Sequence, residues 1–422
     1  MTTKITEKNI DNIKNVSVDW QSVVVGDGST TLTATAGKGY FLDTTSGTQA
    51  ITLPSVDNST VGDTIKFKDY ARTWNSNSVT INAGALLDGS TTTTVEFDTQ
   101  GQTISVVFMD STKGWSVINE DTTSKLEIAA SFIAATGGSV TTSGDFKIHS
   151  FTGDGCFVVS SIGNVSETPS GGPKIADYLV IAGGGAGGAS HGGGGGAGGY
   201  RESKAANSPT HTPSPHTASP LAATTGVTLT ASTFPITVGA GGTGGPNADG
   251  TNGSNSIFST ITAAGGGKGG SNTPTDPHKV GNPGGSGGGA KTCGYSAGTG
   301  NTPPVSPPQG NNGGAGGPGA QGAGGGGGAG AVGSNSSGTN GGVGGNGVAS
   351  GITGSCVTRA GGGGGQGGGG GSAGGTGGGG TGVPGQPSVG TANTGGGGGG
   401  NTYSSPTTNG GKGIVIIRYK FQ

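Results

Sequence analysis

Glycine supplies 102 of the 422 residues, and 84 of these lie from Gly183 onward, in dense runs such as Gly367 to Gly371. A stretch with so few side chains has little apolar surface to bury, so whatever orders it acts through the backbone. Four backbone states compete for it. Gly/Ser-rich chains behave as coils when nothing holds them. Collagen needs a strict three-residue repeat with abundant proline, whereas the 20 prolines here cluster in stretches such as Pro209 to Pro220 and Pro303 to Pro308. Silk-like stacking wants regular alternation with Ala or Ser, which the runs lack.

The runs do carry a local period of three. Gly313, Gly316 and Gly319 recur with side chains at Ala315, Pro318 and Gln321, and Gly341 to Gly347 and Gly374 to Gly377 repeat the pattern. Three residues per turn is the polyproline II helix, which makes no internal hydrogen bonds. Its N–H and C=O groups must therefore find partners on neighbouring helices once they are buried. Glycine on every side lets such helices approach closely enough to bond, which is the polyglycine II arrangement. Ordering a glycine costs roughly 0.5 to 1 kcal/mol more than ordering alanine, against a net gain of about 0.5 to 1.5 kcal/mol per hydrogen bond. The lattice forms only if nearly every backbone group is paired. Polar insertions divide the runs at 200–235, 246–264, 271–280, 292–309, 334–340, 350–359, 383–394 and 401–409. Rigid rods joined by such loops make a display scaffold, and recognition tends to sit in loops of this kind.

The rest of the chain obeys ordinary patterning. All three tryptophans (Trp20, Trp74, Trp115) fall in the first 120 residues. Ile5, Ile10, Ile13 and Val16 recur at helical spacing, so residues 1–18 read as an attachment arm. From 19 to 120 short β-branched runs are punctuated by turn signals such as Gly26-Asp27-Gly28 and Lys113-Gly114, which predicts a β-sandwich or small β-prism. Phe41, Leu53, Phe67, Phe97, Val107 and Trp115 are its expected core. Residues 121–176 read as a short β connecting domain, and 177–422 as the glycine-rich domain. The latter opens on the apolar strand Asp177 to Ala182 and closes on Gly413 to Tyr419, two strands expected to pair as its base. The expected fold class is thus an all-β N-terminal part followed by a polyglycine II bundle with protruding loops and little or no α-helix.

Bulk chemistry excludes several functions. Net charge is −2 with no basic block, so a phosphate-neutralising surface for nucleic acid is not expected. Cys156, Cys293 and Cys356 are odd in number and far apart, which fits neither a disulfide framework nor a zinc site. The polar start lacks the apolar core of a secretion signal. No run of about 18 apolar residues offers a membrane span, so membrane insertion is not expected.

Two stretches resemble known families. Gly39-Tyr40-Phe41 with Asp43-Thr44-Thr45, Ile51-Thr52-Leu53-Pro54, Gly62-Asp63-Thr64-Ile65, Lys68-Asp69-Tyr70-Ala71, Val107-Phe108-Met109-Asp110 and Lys113-Gly114-Trp115 together resemble a module of cyanophage tail fibres, over about 100 residues. That resemblance implies a homotrimer on a virion tail. Tyr178 to Gly185, Gly198 to Glu202, Ile236 to Gly242 and the terminal Gly413 to Tyr419 are similar to the glycine-rich distal-tip adhesins of T-even-type phages. This second resemblance covers nearly all of 177–419 and implies recognition of a host surface. The chain order, fibre module first and tip last, agrees with both.

Other motifs do not hold. Gly183, Gly185 and Gly188 spell G-x-G-x-x-G after a strand, yet Ala189-Ser190-His191 and more glycine follow where a dinucleotide site requires a helix. Gly285 to Thr292 misses a phosphate loop because Ala290 stands where glycine must precede Lys291. The histidines are scattered, and Cys293 beside Lys291 has no identifiable His or Asn partner. Enzyme activity, a cofactor and a metal are not expected. The leading expectation is a phage tail-fibre receptor-binding protein, made in the host cytoplasm and carried on the virion. Its N-terminal part would bind tail or baseplate proteins, and its loops a bacterial surface polysaccharide or outer-membrane protein. Aromatic and polar loop residues suit that contact: Tyr200, Arg201, His211, His216, His278, Tyr295, Arg359 and Tyr403. A purely structural glycine-rich spacer and an ice-binding surface are the alternatives, the second needing a regular Thr or Ala face that these loops lack.

Overall fold

A computed structural model describes residues 18–82, 86–91, 94–118, 125–127, 131–163, 174–204, 216–244, 249–271, 279–318, 322–401 and 408–422. Residues contact one another in two compact units, Met1–Ala129 and Ala130–Gln422. The fold is all-β: among the described residues the only helical element is a 3-10 turn at Val56–Asn58. The expected attachment arm lies outside the described residues but for Val18.

In the first unit the chain passes back and forth between two sheets. Lys38–Asp43 and Thr64–Asp69 belong to one, and Thr31–Thr33, Gln49–Thr52 and Val79–Asn82 to the other. Because each strand is followed by one in the opposite sheet, the next visit to a sheet runs in the same direction as the last. Neighbours therefore pair parallel, with Phe41 opposite Lys68 and Ile51 opposite Ile81. Thr94–Phe97 and Thr103–Asp110 then close the two sheets with antiparallel pairings. Alternation along Thr64–Asp69 turns Ile65 and Phe67 inward while Lys66 and Lys68 stay at the surface, as a half-buried strand requires.

Between the sheets pack Tyr40, Leu42, Ile51, Ile65, Phe67, Trp74, Val79, Ile81, Val95, Phe97, Val106, Phe108 and Trp115. Leu53, Phe67, Phe97 and Trp115 are buried as expected. Phe41 and Val107 are not in the core. Each sits one residue out of phase, with Tyr40, Leu42, Val106 and Phe108 taking the inward positions, since a one-residue shift moves a side chain to the other face. Phe41 instead stacks on Trp20, ring centroids 4.5 Å apart, on the outer surface.

The second unit is organised by the two apolar strands that bracket the glycine. Ile175–Ile181 and Ile414–Lys420 pair antiparallel, from Asp177 opposite Arg418 to Ile181 opposite Ile414. Phe146–Phe151 adds to the far edge of Ile414–Lys420, and Tyr200–Ser203 to that of Ile175–Ile181. The stretch read as a connecting domain thus contributes strands to this unit. One face, through Tyr178, Val180, Val415, Ile417 and Tyr419, packs against Phe157, Ile236 and Phe258 of a second sheet. The other face, through Leu179, Ile181, Ile414 and Ile416, meets Ala197, Ala329, Ile352 and Ala360 of the glycine-rich body. Burial on both sides accounts for the unbroken apolar runs of these strands.

Candidate functional site

The glycine body grows directly out of that sheet. Past Ile181 the chain runs through 182–188, turns at 189–192 and returns through 193–199 into Tyr200–Ser203. Its hydrogen bonds repeat every third residue. Gly183 and Ala186 donate to Ser254 and Thr251, Gly184 and Gly187 to Gly411 and Thr408, and Gly185 and Gly188 to Gly196 and Gly193. The carbonyls of the same segment accept from Gly242, from Gly266 and Gly269, and from Gly398 and Asn401. One segment is therefore bonded to six others.

The returning segment has six neighbours too. Gly193, Gly196 and Gly199 donate to Gly270, Gly267 and Ala264; Gly194 and Ala197 to Gly324 and Gly327; Gly195 and Gly198 to Gly398 and Gly395. Gly289 and Ser286 donate back to Gly194 and Ala197, and Gly363 to Gly195. Buried donors and acceptors are satisfied without side chains. A Cβ on Gly194, Gly195 or Gly198 would fall on the carbonyl oxygen of Gly363, Gly185 or Ala182 respectively, because the backbones touch.

Since the segments run to and fro, the bundle has a sheet end and a far end. At the sheet end a polar network is enclosed. Glu202 accepts from the Tyr200 hydroxyl at 2.8 Å and the Ser219 N–H at 3.0 Å on one oxygen, and from the Ser350 hydroxyl at 2.6 Å on the other. His216 Nε2 lies 3.8 Å from that second oxygen. Burial works to raise the Glu202 carboxyl, but the His216, Ser219, Ser350 and Tyr200 contacts outweigh it and hold it below the usual range. Burial pushes the Tyr200 phenol up, and the neighbouring carboxylate adds to this. Desolvation lowers the Arg359 guanidinium, opposed by the charges of Tyr200 and Glu202. A buried ion must be paired and hydrogen-bonded, and this network ties the hairpin Val348–Ser350 and Val357–Arg359 to the sheet. Beside it a cavity of about 190 Å³ is lined by Ser143, His216, Thr217, Cys356 and Arg418.

This corrects the expectation for three residues read as displayed on loops. Tyr200 is 1% exposed, His216 5% and Arg359 7%; Tyr200 and His216 face the Glu202 carboxylate, and Arg359 lies opposite Val348 in the hairpin. Arg201 is half-buried in the strand Tyr200–Ser203. His211, His278 and Tyr403 lie outside the described residues. Tyr295 is half-buried at the far end, with Lys279 Nζ 5.9 Å and Lys291 Nζ 5.6 Å from its ring centroid. Sequence reasoning missed Glu202, Ser350, Lys279 and Lys291. The alternation Tyr-Arg-Glu-Ser after Gly199 was the available signal for Glu202, since it places Tyr200 and Glu202 on one face of a strand. Among the described residues no group of three His, Cys, Asp or Glu side chains is placed to hold a metal, and no helix is long and apolar enough to cross a membrane.

A bundle held by main-chain bonds and fastened to a two-sheet base defines a glycine-rich domain. The family model of that description, glycine-rich domain, matches residues 159–420, and the chain belongs to this family. No curated protein matches the chain.

Proposed function

We propose that this chain is a bacteriophage tail-fibre protein with a receptor-binding tip. Its glycine body is a polyglycine II bundle, and the turns at the end away from the sheet meet the host surface. The observation that carries this reading is the three-residue hydrogen-bond period linking each inner segment to six others, since it fixes the turns between segments in space without using their side chains. The N-terminal β unit would join the tail or baseplate and assemble as a homotrimer. The ligand would be a surface polysaccharide or an outer-membrane protein, and the place of action the virion tail. The enclosed Glu202 network fits a brace, so the contact falls to far-end residues such as Tyr295 and not to Tyr200, His216 or Arg359.

An adsorption-blocking assay tests it. The full chain, added to a panel of bacteria before phage, should reduce infection of at least one strain, and a chain ending at Ala129 should not. The cut belongs there and not at 176, because Phe146–Phe151 needs Ile414–Lys420 as its pairing partner. Equal blocking by both chains would favour a spacer role for the glycine body and sink the proposal.

A further inference from the structure

In the first unit, the outer face of the sheet that holds Lys38–Asp43 and Thr64–Asp69 carries a row of three aromatic rings. Trp20 lies opposite Gly39 in a parallel pairing, and its indole covers that glycine, where a Cβ would fall 2.7 Å from the ring. The indole stacks on Phe41 with 4.5 Å between centroids and 21° between planes, and Phe41 meets Tyr70 edge-on at 6.4 Å. Trp20 is 41% exposed and Tyr70 57%.

Beside Tyr70, two cations converge on Gly101. Lys68, opposite Phe41 in the neighbouring strand, donates from its ammonium to the Gly101 carbonyl. A Cβ on Gly101 would lie 2.9 Å from Arg72 Nη1. The turn that carries Tyr70 and Arg72 is fixed from below. There the buried Asp69 carboxylate accepts from the Thr73 N–H at 3.1 Å and the Gly101 N–H at 2.7 Å, while the Gln100 amide donates to the Arg72 carbonyl at 3.1 Å. Arg72 itself is exposed. Among the described residues its guanidinium, the Trp20 indole N–H and the Tyr70 hydroxyl have no hydrogen-bond partner. Rings and donors are thus held in place with their polar ends open, which lowers the ordering cost of a ligand.

Charge narrows what such a ligand is. Between 18 and 118 there are ten Asp or Glu and only five Lys or Arg, yet Lys66, Lys68 and Arg72 all fall on one strand and the turn after it. An acidic unit with its bases gathered beside exposed rings complements a small anion and repels a long polyanion. Asp43, two residues beyond Phe41 on the same strand, is held by the Thr45 N–H at 3.0 Å and the Thr45 hydroxyl at 2.6 Å. Its charge favours a singly charged carboxylate over a phosphate, which carries nearly twice as much, and the guanidinium fork matches a planar carboxylate. Exposed rings with a free N–H and a free hydroxyl offer an apolar surface and hydrogen bonds side by side, which suits the C–H face and the hydroxyls of a sugar.

We infer that Trp20, Phe41 and Tyr70, with Lys68 and Arg72, form a site for a carboxylate-bearing saccharide, the sugar ring lying on the aromatics and the carboxylate meeting the Arg72 fork. This goes beyond the receptor-binding tip and gives the first unit a ligand of its own. A contact of one or two sugar units is too small to block adsorption by itself.

Tryptophan fluorescence of the full chain tests it. Trp74 and Trp115 are fully buried, so the emission that acrylamide quenches readily reports on Trp20. Quenching is expected in the free protein at every dilution. Trigalacturonate should shield Trp20 and the neutral maltotriose should not, and the shielding should weaken as salt rises. Arg72→Gln and Lys68→Gln should each raise the trigalacturonate concentration required by about tenfold, the scale of one charge-assisted hydrogen bond, and Tyr70→Ala should raise it too. Melting temperature shows that each variant is folded; if Tyr70→Ala is not, Arg72→Gln decides, since its side chain is exposed. No shielding by trigalacturonate, equal shielding by maltotriose, or an unchanged response in folded variants would overturn the site. Stronger shielding by oligothymidylate would overturn it in favour of a nucleic acid. A Trp20 already shielded in the free protein would overturn it in favour of a protein contact, with a second copy if dilution exposes the ring and with the same chain if it does not.

Discussion

The Gly363 N–H donates to the Gly195 carbonyl at 2.9 Å, and the Gly195 N–H donates to the Gly398 carbonyl at 2.8 Å, so one glycine is clasped by two segments that lie far along the chain from it. Gly195 also faces the Gly185 carbonyl with no room for a methyl group. Gly195→Ala should therefore destabilise the second unit by about 3 kcal/mol or more, at the upper end of overpacking costs. Gly153→Ala is the control, since its nearest neighbour would be the flexible Lys412 Nζ at 3.6 Å. Urea unfolding followed by circular dichroism distinguishes them. Equal midpoints for the two variants would mean that the bundle yields where it touches.

The Glu202 network predicts a different penalty. Glu202→Ala leaves the Ser219 N–H and the Ser350 and Tyr200 hydroxyls buried without their acceptor, which should cost about 3 kcal/mol. Ser350→Ala removes one charge-assisted bond and should cost about 1.5 kcal/mol. Hydrogen exchange should show the hairpin 348–359 opening in both variants while the segment 193–199 stays protected. Unchanged exchange at 348–359 in Glu202→Ala would show that the hairpin is held by other contacts.

Acid should weaken the second unit in two stages. Burial pushes the His149 imidazole below its ordinary 6.5, despite the Gly137 carbonyl 2.7 Å away. Below about pH 6.5 the unfolded chain takes up a proton there while the folded chain does not, so stability falls as pH falls. Glu202 acts in the same direction at lower pH. Its folded value lies below the ordinary 4.5, so its contribution is present above that pH and is lost as pH falls through the folded value. Unfolding midpoints measured from pH 8 to 4 should decline, and His149→Gln should flatten the upper part of the curve. A wild-type curve that is level between pH 7 and 5 would contradict the neutral assignment of His149.

Cys156, Cys293 and Cys356 are all exposed free thiols. A water-soluble thiol reagent should modify three equivalents in the native protein, as fast as in urea within about an order of magnitude. Fewer than three would place a thiol under cover.

Much of this was legible in the sequence because it depends on repetition. The three-residue recurrence of glycine announced the hydrogen-bond period, and the apolar runs at 177–182 and 413–419 announced the strands that pair. Side-chain facing was less legible. Phe41 and Val107 look like core residues by type, yet alternation gave those positions to Tyr40, Leu42, Val106 and Phe108, and a run with apolar residues on both faces hides its phase. Tyr200, His216 and Arg359 looked like display residues because they interrupt glycine or stand among Pro, Ser and Thr. Nothing local marks which end of the bundle a turn occupies, since that depends on how many rods precede it. Lys279 and Lys291 likewise meet at Tyr295 only through the folded path.

The six-neighbour rods have one more consequence. A conventional core records its fold in the shapes of its side chains, so drift at the surface and drift in the interior are coupled through packing. Here the interior is written in main-chain atoms that every residue shares, and what a rod needs is the lack of a Cβ. Turns at the far end can then exchange length, charge and aromatic content while the rods beneath them keep the same bonds.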